Sequence, residues 1–190
     1  MPIRLHAEDA ALLREAIRYT AAETGFSARL IEKDYFCSVV LEHLAGECGG
    51  LTFKGGTCLS KVHGGFYRLS EDLDFSISTA VDSARGERRR SVEPLRHALA
   101  HVEERLPGFR IAEALRGFNN STQYNAVLSY ESLIDGHIEL VSNHAVRITG
   151  FDPAQAGSPG PTLATHASCR PLSRIYSSIP VFPPISPPGL

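Results

Sequence analysis

The chain has 190 residues, 43% of them hydrophobic and 21% charged, and its formal net charge is -2. This length and composition predict a soluble globular protein of one domain, or of one domain with an extra segment. The charge balance excludes a protein that is basic throughout, so any contact with nucleic acid needs a local cluster of Arg and Lys.

Membrane insertion and disulfide bonding are not expected. No apolar run approaches the roughly 20 residues that cross a bilayer, and the first residues lack the apolar core of a signal peptide. The cysteines are widely spaced and form no CxxC motif, which predicts reduced thiols in a cytoplasmic protein and no zinc site. They are Cys37, Cys48, Cys58 and Cys169.

Two amphipathic helices are predicted near the N-terminus. In residues 7–24 the apolar side chains recur at close to helical spacing, and Gly25 ends the helix. They are Ala11, Leu12, Ala16, Ile17 and Tyr19. Ser27 is a suitable N-cap for a second helix over residues 28–45, whose apolar side chains face a core. These are Leu30, Ile31, Tyr35, Val39, Leu41 and Leu44.

Three charged residues, Glu32, Lys33 and Asp34, stand beside the apolar positions of this second helix. One interpretation is a solvated face with local ion pairs. The other is functional: Lys33 reaches a phosphate, or Asp34 orients a catalytic side chain. The spacing does not decide between them.

The most informative stretch is residues 51–78. A short strand over residues 51–53 is broken by glycines, a helical segment over residues 58–63 follows, and a second strand carries Asp72 and Asp74. Because residues i and i+2 of a strand project from one face, both carboxylates converge on one volume, while Leu73 and Phe75 point into the core. Paired carboxylates suit Mg²⁺ together with substrate phosphates. An exposed strand would show the same pair.

The glycine turn between these strands is Gly55, Gly56 and Thr57. Glycines let the backbone approach a ligand closely, and the amides at the following helix start, with the Thr57 hydroxyl, would face a nucleotide triphosphate. Lys54, Lys61 and Arg68 could add positive charge. The spacing is not that of a P-loop. A plain strand-to-helix turn also fits the glycines alone, but the turn followed by the aspartate pair is far more specific than either half.

Residues 83–106 predict a long helix that Pro94 kinks or restarts. Its arginines are candidate phosphate contacts if a polynucleotide binds, although the pattern favours an exposed helix face balanced by glutamates. The candidates are Arg85, Arg88, Arg89 and Arg96.

Three further strands are predicted over residues 109–115, 123–130 and 137–141, the last after an Asp-Gly hairpin signal. Glu139 alternates with apolar neighbours in the last strand, so it is either a third metal-binding carboxylate or an exposed strand residue. Together the elements predict an α+β (mixed α/β) domain over residues 1–149. It has a small mixed or antiparallel sheet of about five strands, flanked by helices that include the N-terminal pair. Residues 150–190 are rich in proline and predict a loosely attached or disordered tail.

The run FKGGTCLSKV…RLSEDLDFSI resembles the signature of the AbiEii/AbiGii-type nucleotidyltransferase toxins, within the polymerase-β-like nucleotidyltransferase superfamily. The resemblance covers roughly residues 10–145 and includes the charged helix at Glu32, the segment 115–130 and the strand around Glu139. It implies a nucleotidyltransferase-like fold, a triphosphate at Gly55, Gly56 and Thr57, and metal-binding carboxylates at Asp72, Asp74 and Glu139. Further nucleotide contacts are expected from Lys61, Arg68 and Ser70.

The function that the resemblance implies is transfer of NMP from an NTP to an acceptor, with Mg²⁺ or Mn²⁺. The acceptor could be the 3′ end of tRNA, and the setting a bacterial toxin–antitoxin or phage-defence pair with an antitoxin encoded nearby. The helical region that family members carry after the third acidic strand is not found after Glu139, so we expect a truncated or frame-shifted member with a non-native tail. The alternatives are an inactive remnant that only binds nucleotide or an antitoxin, and an antibiotic-modifying nucleotidyltransferase.

Overall fold

The computed structural model describes residues 4–58, 72–80, 82–135 and 146–151. The helices in these ranges are α1 (Leu5–Glu8), α2 (Ala10–Thr24), α3 (Ala28–Glu47), α4 (Gly55–Cys58), α5 (Arg85–Ser91), α6 (Glu93–Ala100) and α7 (Val102–Arg105). The strands are β1 (Leu51–Lys54), β2 (Asp72–Ile77), β3 (Phe109–Phe118), β4 (Gln123–Tyr130) and β5 (Val146–Phe151).

The strands form one sheet in the order β1-β2-β5-β4-β3. The β2 and β5 strands run parallel, and the other neighbouring pairs run antiparallel. The predicted α+β class with a mixed sheet of about five strands is therefore confirmed. The sequence did not predict β5, and the strand expected over residues 137–141 lies outside the described residues.

The helix ends predicted at Gly25 and Ser27 are confirmed. Gly25 ends α2 with φ of 76°, a left-handed conformation that glycine adopts without steric penalty. Ser27 caps α3 by accepting a hydrogen bond from the backbone N–H of Leu30 at 3.3 Å. At the start of α2, Asp9 is a cap that the sequence pattern did not single out, and it accepts from the N–H of Leu12 at 2.9 Å.

The apolar stripe predicted for α2 was right at Ala16 and Ile17, which are buried, and wrong at Leu12 and Tyr19. Leu12 and Tyr19 are 50% and 51% exposed, whereas Leu13 is fully buried with Ile17 and Thr20. The buried positions follow i, i+4 and i+7, one position along from the expected stripe. Two apolar side chains in a row leave this phase ambiguous, and tertiary packing decided it.

The core lies between the helices and one face of the sheet. Phe53 of β1 and Phe75 of β2 are fully buried there, with their ring centroids 5.5 Å apart. Further along the same layer, Phe36 of α3 stacks on Tyr130 of β4 at 3.9 Å. Aromatic contacts thus join β1 to β2 at one end of the sheet and α3 to β4 toward the other.

Of the two interpretations of the charged residues on α3, the solvated face was wrong. Residues 31–41 are all buried, and Glu32, Lys33 and Asp34 are only 0%, 8% and 4% exposed. A buried carboxylate is costly unless it accepts hydrogen bonds. The Glu32 carboxylate accepts them from the Ser132 hydroxyl at 2.8 Å and the Leu133 N–H at 2.5 Å. The functional alternative for Lys33 and Asp34 stays a prediction.

The long helix predicted over residues 83–106 is divided into α5, α6 and α7. Pro94 lies in the first turn of α6, where its missing N–H removes no helical hydrogen bond. The proline therefore restarts the helix, which was one of the two alternatives for this position. Likewise α4 begins at Gly55, three residues before the predicted segment, whose later part lies outside the described residues.

The cysteines in the described ranges, Cys37, Cys48 and Cys58, are buried and not disulfide-bonded. Burial raises the pKa of Cys48 to about 11, so this thiol stays protonated at neutral pH. Cys169 lies outside the described residues. In the part of the chain that the structure describes, no helix combines the length and apolar character needed to span a membrane.

Candidate nucleotidyltransfer site

The glycine turn joins two strands that are direct neighbours in the sheet. Lys54 is the last residue of β1, and it pairs in register with Asp74 of β2. Antiparallel residues in register project from the same face. The end of β1 therefore brings an ammonium-bearing side chain to the face that carries the Asp74 carboxylate.

Successive side chains of β2 lie on opposite faces of the sheet. Leu73 and Phe75 are fully buried on the helix-covered face. Asp72 is exposed and Asp74 is half-buried on the opposite face. Asp72 and Asp74 therefore share one face of β2, as their spacing predicts, and their convergence on one volume stays a prediction.

Gly55 packs directly against Asp74. A Cβ added at Gly55 would lie 3.0 Å from Asp74 Cβ and Cγ, and it would clash with Oδ2. Gly55 also has φ of 77°, which other residues rarely adopt. The position therefore requires glycine for two independent reasons. The sequence indicated only a close backbone approach, and the neighbour in this structure is the carboxylate.

Thr57 links the turn to the strand of the aspartates. Its side chain is buried, and its hydroxyl donates a hydrogen bond to the main-chain carbonyl of Asp72. Gly56, beside it, is exposed. The contact ties α4 to the first residue of β2, so the turn and the carboxylates form one unit. The predicted contact of the Thr57 hydroxyl with phosphates stays a prediction.

The donor set at this position suits magnesium. No group of three His, Cys, Asp or Glu side chains that could hold a metal ion occurs within residues 4–58, 72–80, 82–135 and 146–151. Mg²⁺, however, is commonly bound by one or two carboxylates together with substrate phosphates and water. Two carboxylates on one face, one of them solvent-exposed, fit that requirement.

The other predicted site residues fall outside the described part of the chain. These are Lys61, Arg68, Ser70 and Glu139. Their place relative to the aspartate pair stays a prediction.

Strand β5 brings further residues into register with the site, and none of them was predicted as a site residue. Asp74 pairs with Thr149 of β5, which pairs with Asn125 of β4, which in turn pairs with Arg116 of β3. Asp72 likewise pairs with Arg147. A parallel pairing between strands that are distant in the chain leaves no local periodicity, so this row could not be found without the topology.

Two of the four candidate phosphate-binding arginines hold the backbone. Arg88 donates from Nε and Nη2 to the carbonyl of Asn120, at 3.3 and 2.9 Å, and from Nη1 to the carbonyl of Ser83. Arg96 donates to the carbonyl of Leu115 at 3.4 Å and pairs with Glu93 at 3.6 Å. Arg85 and Arg89 remain exposed.

Comparison with known proteins gives one family. Residues 39–161, more than half of the chain, match the family model described as "Nucleotidyl transferase AbiEii toxin, Type IV TA system". The match contains the glycine turn and the aspartate pair, and it agrees with the resemblance seen in the sequence. A comparison with curated proteins gave no match. The chain belongs to the AbiEii family of nucleotidyltransferase toxins of type IV toxin–antitoxin systems.

Proposed function

We propose that the chain transfers a nucleoside monophosphate from an NTP to an acceptor hydroxyl, and that Asp72, Asp74 and a divalent cation form the reacting centre. The observation that carries this proposal is the shared face of Asp72 and Asp74, next to a glycine that must stay small. Membership of the nucleotidyltransferase family supports the reaction type. The cation, Mg²⁺ or Mn²⁺, would activate the attacking oxygen and stabilise the departing pyrophosphate.

The turn is proposed as the place of the triphosphate. Gly55 lies against the Asp74 carboxylate, and Gly56 after it is exposed, so neither glycine carries a side chain that would obstruct a phosphate. Lys54, in register with Asp74, would neutralise phosphate charge. Thr57 keeps the turn attached to β2. Lys61, Arg68 and Ser70 are proposed as additional phosphate contacts and Glu139 as a third carboxylate, on the resemblance alone.

The acceptor and the biological setting rest on the family. A type IV toxin–antitoxin system includes an antitoxin, and a nucleotidyltransferase consumes NTP. We propose the 3′ end of tRNA as the acceptor, a cytoplasmic location, and a role in phage defence. We also propose that the transferase domain, predicted over residues 1–149, extends to Phe151 at the end of β5, and that the residues after it form a separate tail.

The test is a transfer assay with the purified chain, labelled NTPs, Mg²⁺ and total tRNA. Label should move to RNA, and Asp74→Ala should reduce the rate by more than about 100-fold, because the metal-binding carboxylate is lost. EDTA should abolish transfer. Glu113→Ala, which removes an exposed carboxylate from β3, is the matched control and should leave the rate unchanged.

Two outcomes would overturn the proposal. Equal rates for Asp74→Ala and Glu113→Ala would remove the aspartate pair from the chemistry. Nucleotide binding without transfer to RNA, protein or an aminoglycoside would instead support a remnant that binds nucleotide only. Transfer to the aminoglycoside alone would support an antibiotic-modifying enzyme.

A further inference from the structure

A second polar surface lies at the other edge of the sheet, where β3 turns into β4. It consists of Arg85 and Arg89 of α5 and of Arg116 and Phe118 of β3, and we name it the hairpin surface. All four side chains are exposed. Phe118 is 48% exposed, so its ring is open to a stacking partner.

The hairpin beneath this surface has a left-handed backbone that side-chain hydrogen bonds contact. Asn119, Asn120 and Ser121 have φ of 46°, 54° and 65°, so three consecutive residues are left-handed. Such backbone persists only where the surroundings fix it, and it clusters at ligand-binding sites. Here Arg88 fixes the Asn120 carbonyl with two N–H groups, at 3.3 and 2.9 Å. Asn119 Nδ2 also donates to Gln123 Oε1 at 2.7 Å.

Helical geometry places two arginines beside the contact between Arg88 and Asn120. Arg85 lies one turn before Arg88, and Arg89 follows it, so both border the helix face that contacts the hairpin. The nearby acid Glu87 is engaged, because its carboxylate accepts from the Ala84 N–H at 3.1 Å.

The hairpin itself adds no negative charge. Residues 114–130 contain no Asp or Glu, although the whole chain has a net charge of -2. Within residues 114–130 the charged side chain is therefore Arg116, and the exposed Glu113 lies three residues before it.

The hairpin surface also shares a row of the sheet with the proposed reacting centre. Arg116 and Asp74 are connected in register through Asn125 and Thr149, so they lie on the same face, three strand spacings apart. At about 4.8 Å per spacing, the separation is about 14 Å. About four stacked nucleotides span that length at a rise of about 3.4 Å each. Phe118, two residues after Arg116, is on the same face.

We propose that the hairpin surface binds the single-stranded 3′ end of an RNA acceptor about four nucleotides from the reacting hydroxyl. Phe118 stacks on a base, and Arg85, Arg89 and Arg116 contact phosphates. An exposed aromatic ring among arginines, on a rigid platform, is the combination that single-stranded nucleic acids select. The proposal rests on the proposed function for the role of the acceptor, whereas charge, exposure and strand register support the binding surface itself.

The test measures RNA binding alone, so it does not depend on transfer. Binding is measured by fluorescence anisotropy without NTP or metal. The probe is a labelled single-stranded RNA of about 8 nucleotides, roughly twice as long as the span of about four nucleotides. Phe118→Ala should weaken binding by about 5- to 100-fold, the range for losing one base–aromatic stack. The double variant R85Q/R89Q should lower the slope of log K against log salt by about 0.7 for each phosphate that the arginines no longer neutralise.

Matched controls are Tyr19→Ala, which removes an equally exposed ring from α2, and Arg110→Gln, which removes an exposed arginine from the other end of β3. Both should bind RNA as the parent chain does. Circular dichroism and thermal unfolding establish that each variant is folded. Phe118→Tyr should restore binding, because the stacking ring returns.

Three results would overturn the inference: no RNA binding by the parent chain, equal affinities for Phe118→Ala and Tyr19→Ala, or binding of polyglutamate that requires the arginines while RNA binding does not. The last would identify an acidic protein partner. Binding lost in Phe118→Ala while the parent chain transfers no label would leave this inference standing and reject the proposed function. Active transfer with RNA binding unchanged in Phe118→Ala would do the reverse.

Discussion

The two faces of β2 differ in burial and in chemistry. Leu73 and Phe75 are fully buried against the helices, while Asp72 and Asp74, alternating with them, lie on the face with greater exposure. Since alternate residues of a strand point to opposite faces, adjacent positions belong to different environments. Within one strand of six residues, one face therefore contributes to stability and the other carries the proposed chemistry. Substitutions on the two faces should therefore have opposite signatures.

The largest effect on stability is expected for Phe75→Ala. The side chain is fully buried and packs on Phe53, so its removal leaves a cavity and should lower the free energy of unfolding by about 3–5 kcal/mol. Urea denaturation followed by circular dichroism measures the change. Ile77→Ala, on the same face but half-buried at the end of the strand, should cost less. Equal losses for the two variants would contradict the assignment of Phe75 to the centre of the core.

A second comparison sets the buried carboxylate of Glu32 against the exposed one of Asp72. Glu32→Ala leaves the Ser132 hydroxyl and the Leu133 N–H without their acceptor and should cost about 1–3 kcal/mol. Burial raises the pKa of Glu32, although its hydrogen bonds oppose this. The folded state therefore holds the proton more tightly than the unfolded state does.

This shift has a definite sign in the pH dependence of stability. The contribution of the Glu32 side chain is fully present below the ordinary pKa of 4.5 and is lost as pH rises through the raised pKa. Against Glu32→Gln, which cannot ionise, the parent chain should thus lose relative stability above pH 4.5. Denaturation midpoints of both proteins across this range measure the difference. A difference that is constant, or that grows in favour of the parent chain, would contradict the prediction.

Local features of the fold were readable from the sequence because they depend on neighbours in the chain. Ser27 and Gly25 marked helix ends through their backbone and capping chemistry. The alternation around Asp72 and Asp74 predicted the two faces of β2 correctly. For the candidate site, this was enough to find the turn and the aspartate pair.

Features that depend on distant parts of the chain were not readable. The insertion of β5 between β2 and β4 requires long-range pairing that no local pattern records. The burial of Glu32 depends on donors at Ser132 and Leu133, about 100 residues away. The contact of Gly55 with Asp74 needs the register of β1 against β2. Sequence periodicity predicts which face a residue takes, whereas tertiary structure determines what covers that face.

Gly55→Ala tests whether the turn belongs to the same unit as the carboxylates. The left-handed backbone and the contact with Asp74 should together cost about 1–2 kcal/mol, and Asp74 must move to make room. Transfer should therefore fall more than stability explains. The matched control is Gly86→Ala in α5, where a Cβ meets nothing within 4 Å and helix propensity improves. If Gly55→Ala and Gly86→Ala gave the same results in the unfolding and transfer assays, the close contact between Gly55 and Asp74 would not matter for function.

The smallest effect on stability is expected for Asp72→Asn, and this variant is the sharpest test of the two faces. The side chain is exposed, so the free energy of unfolding should stay within about 0.5 kcal/mol of the parent value. Asn keeps the size of the side chain, and the main-chain carbonyl that accepts from Thr57 is unchanged, so the turn should keep its attachment to β2. What the substitution removes is a negative charge that the proposed cation needs.

Transfer by Asp72→Asn should accordingly be lost while its thermal unfolding curve overlays that of the parent chain. Phe75→Ala should give the opposite result, since at temperatures where it remains folded its carboxylates are intact. Measuring both variants in both assays therefore separates the two faces of β2. If Asp72→Asn unfolded early and retained transfer for its folded fraction, Asp72 would be a structural residue, and the proposed reacting centre would have to be built without it.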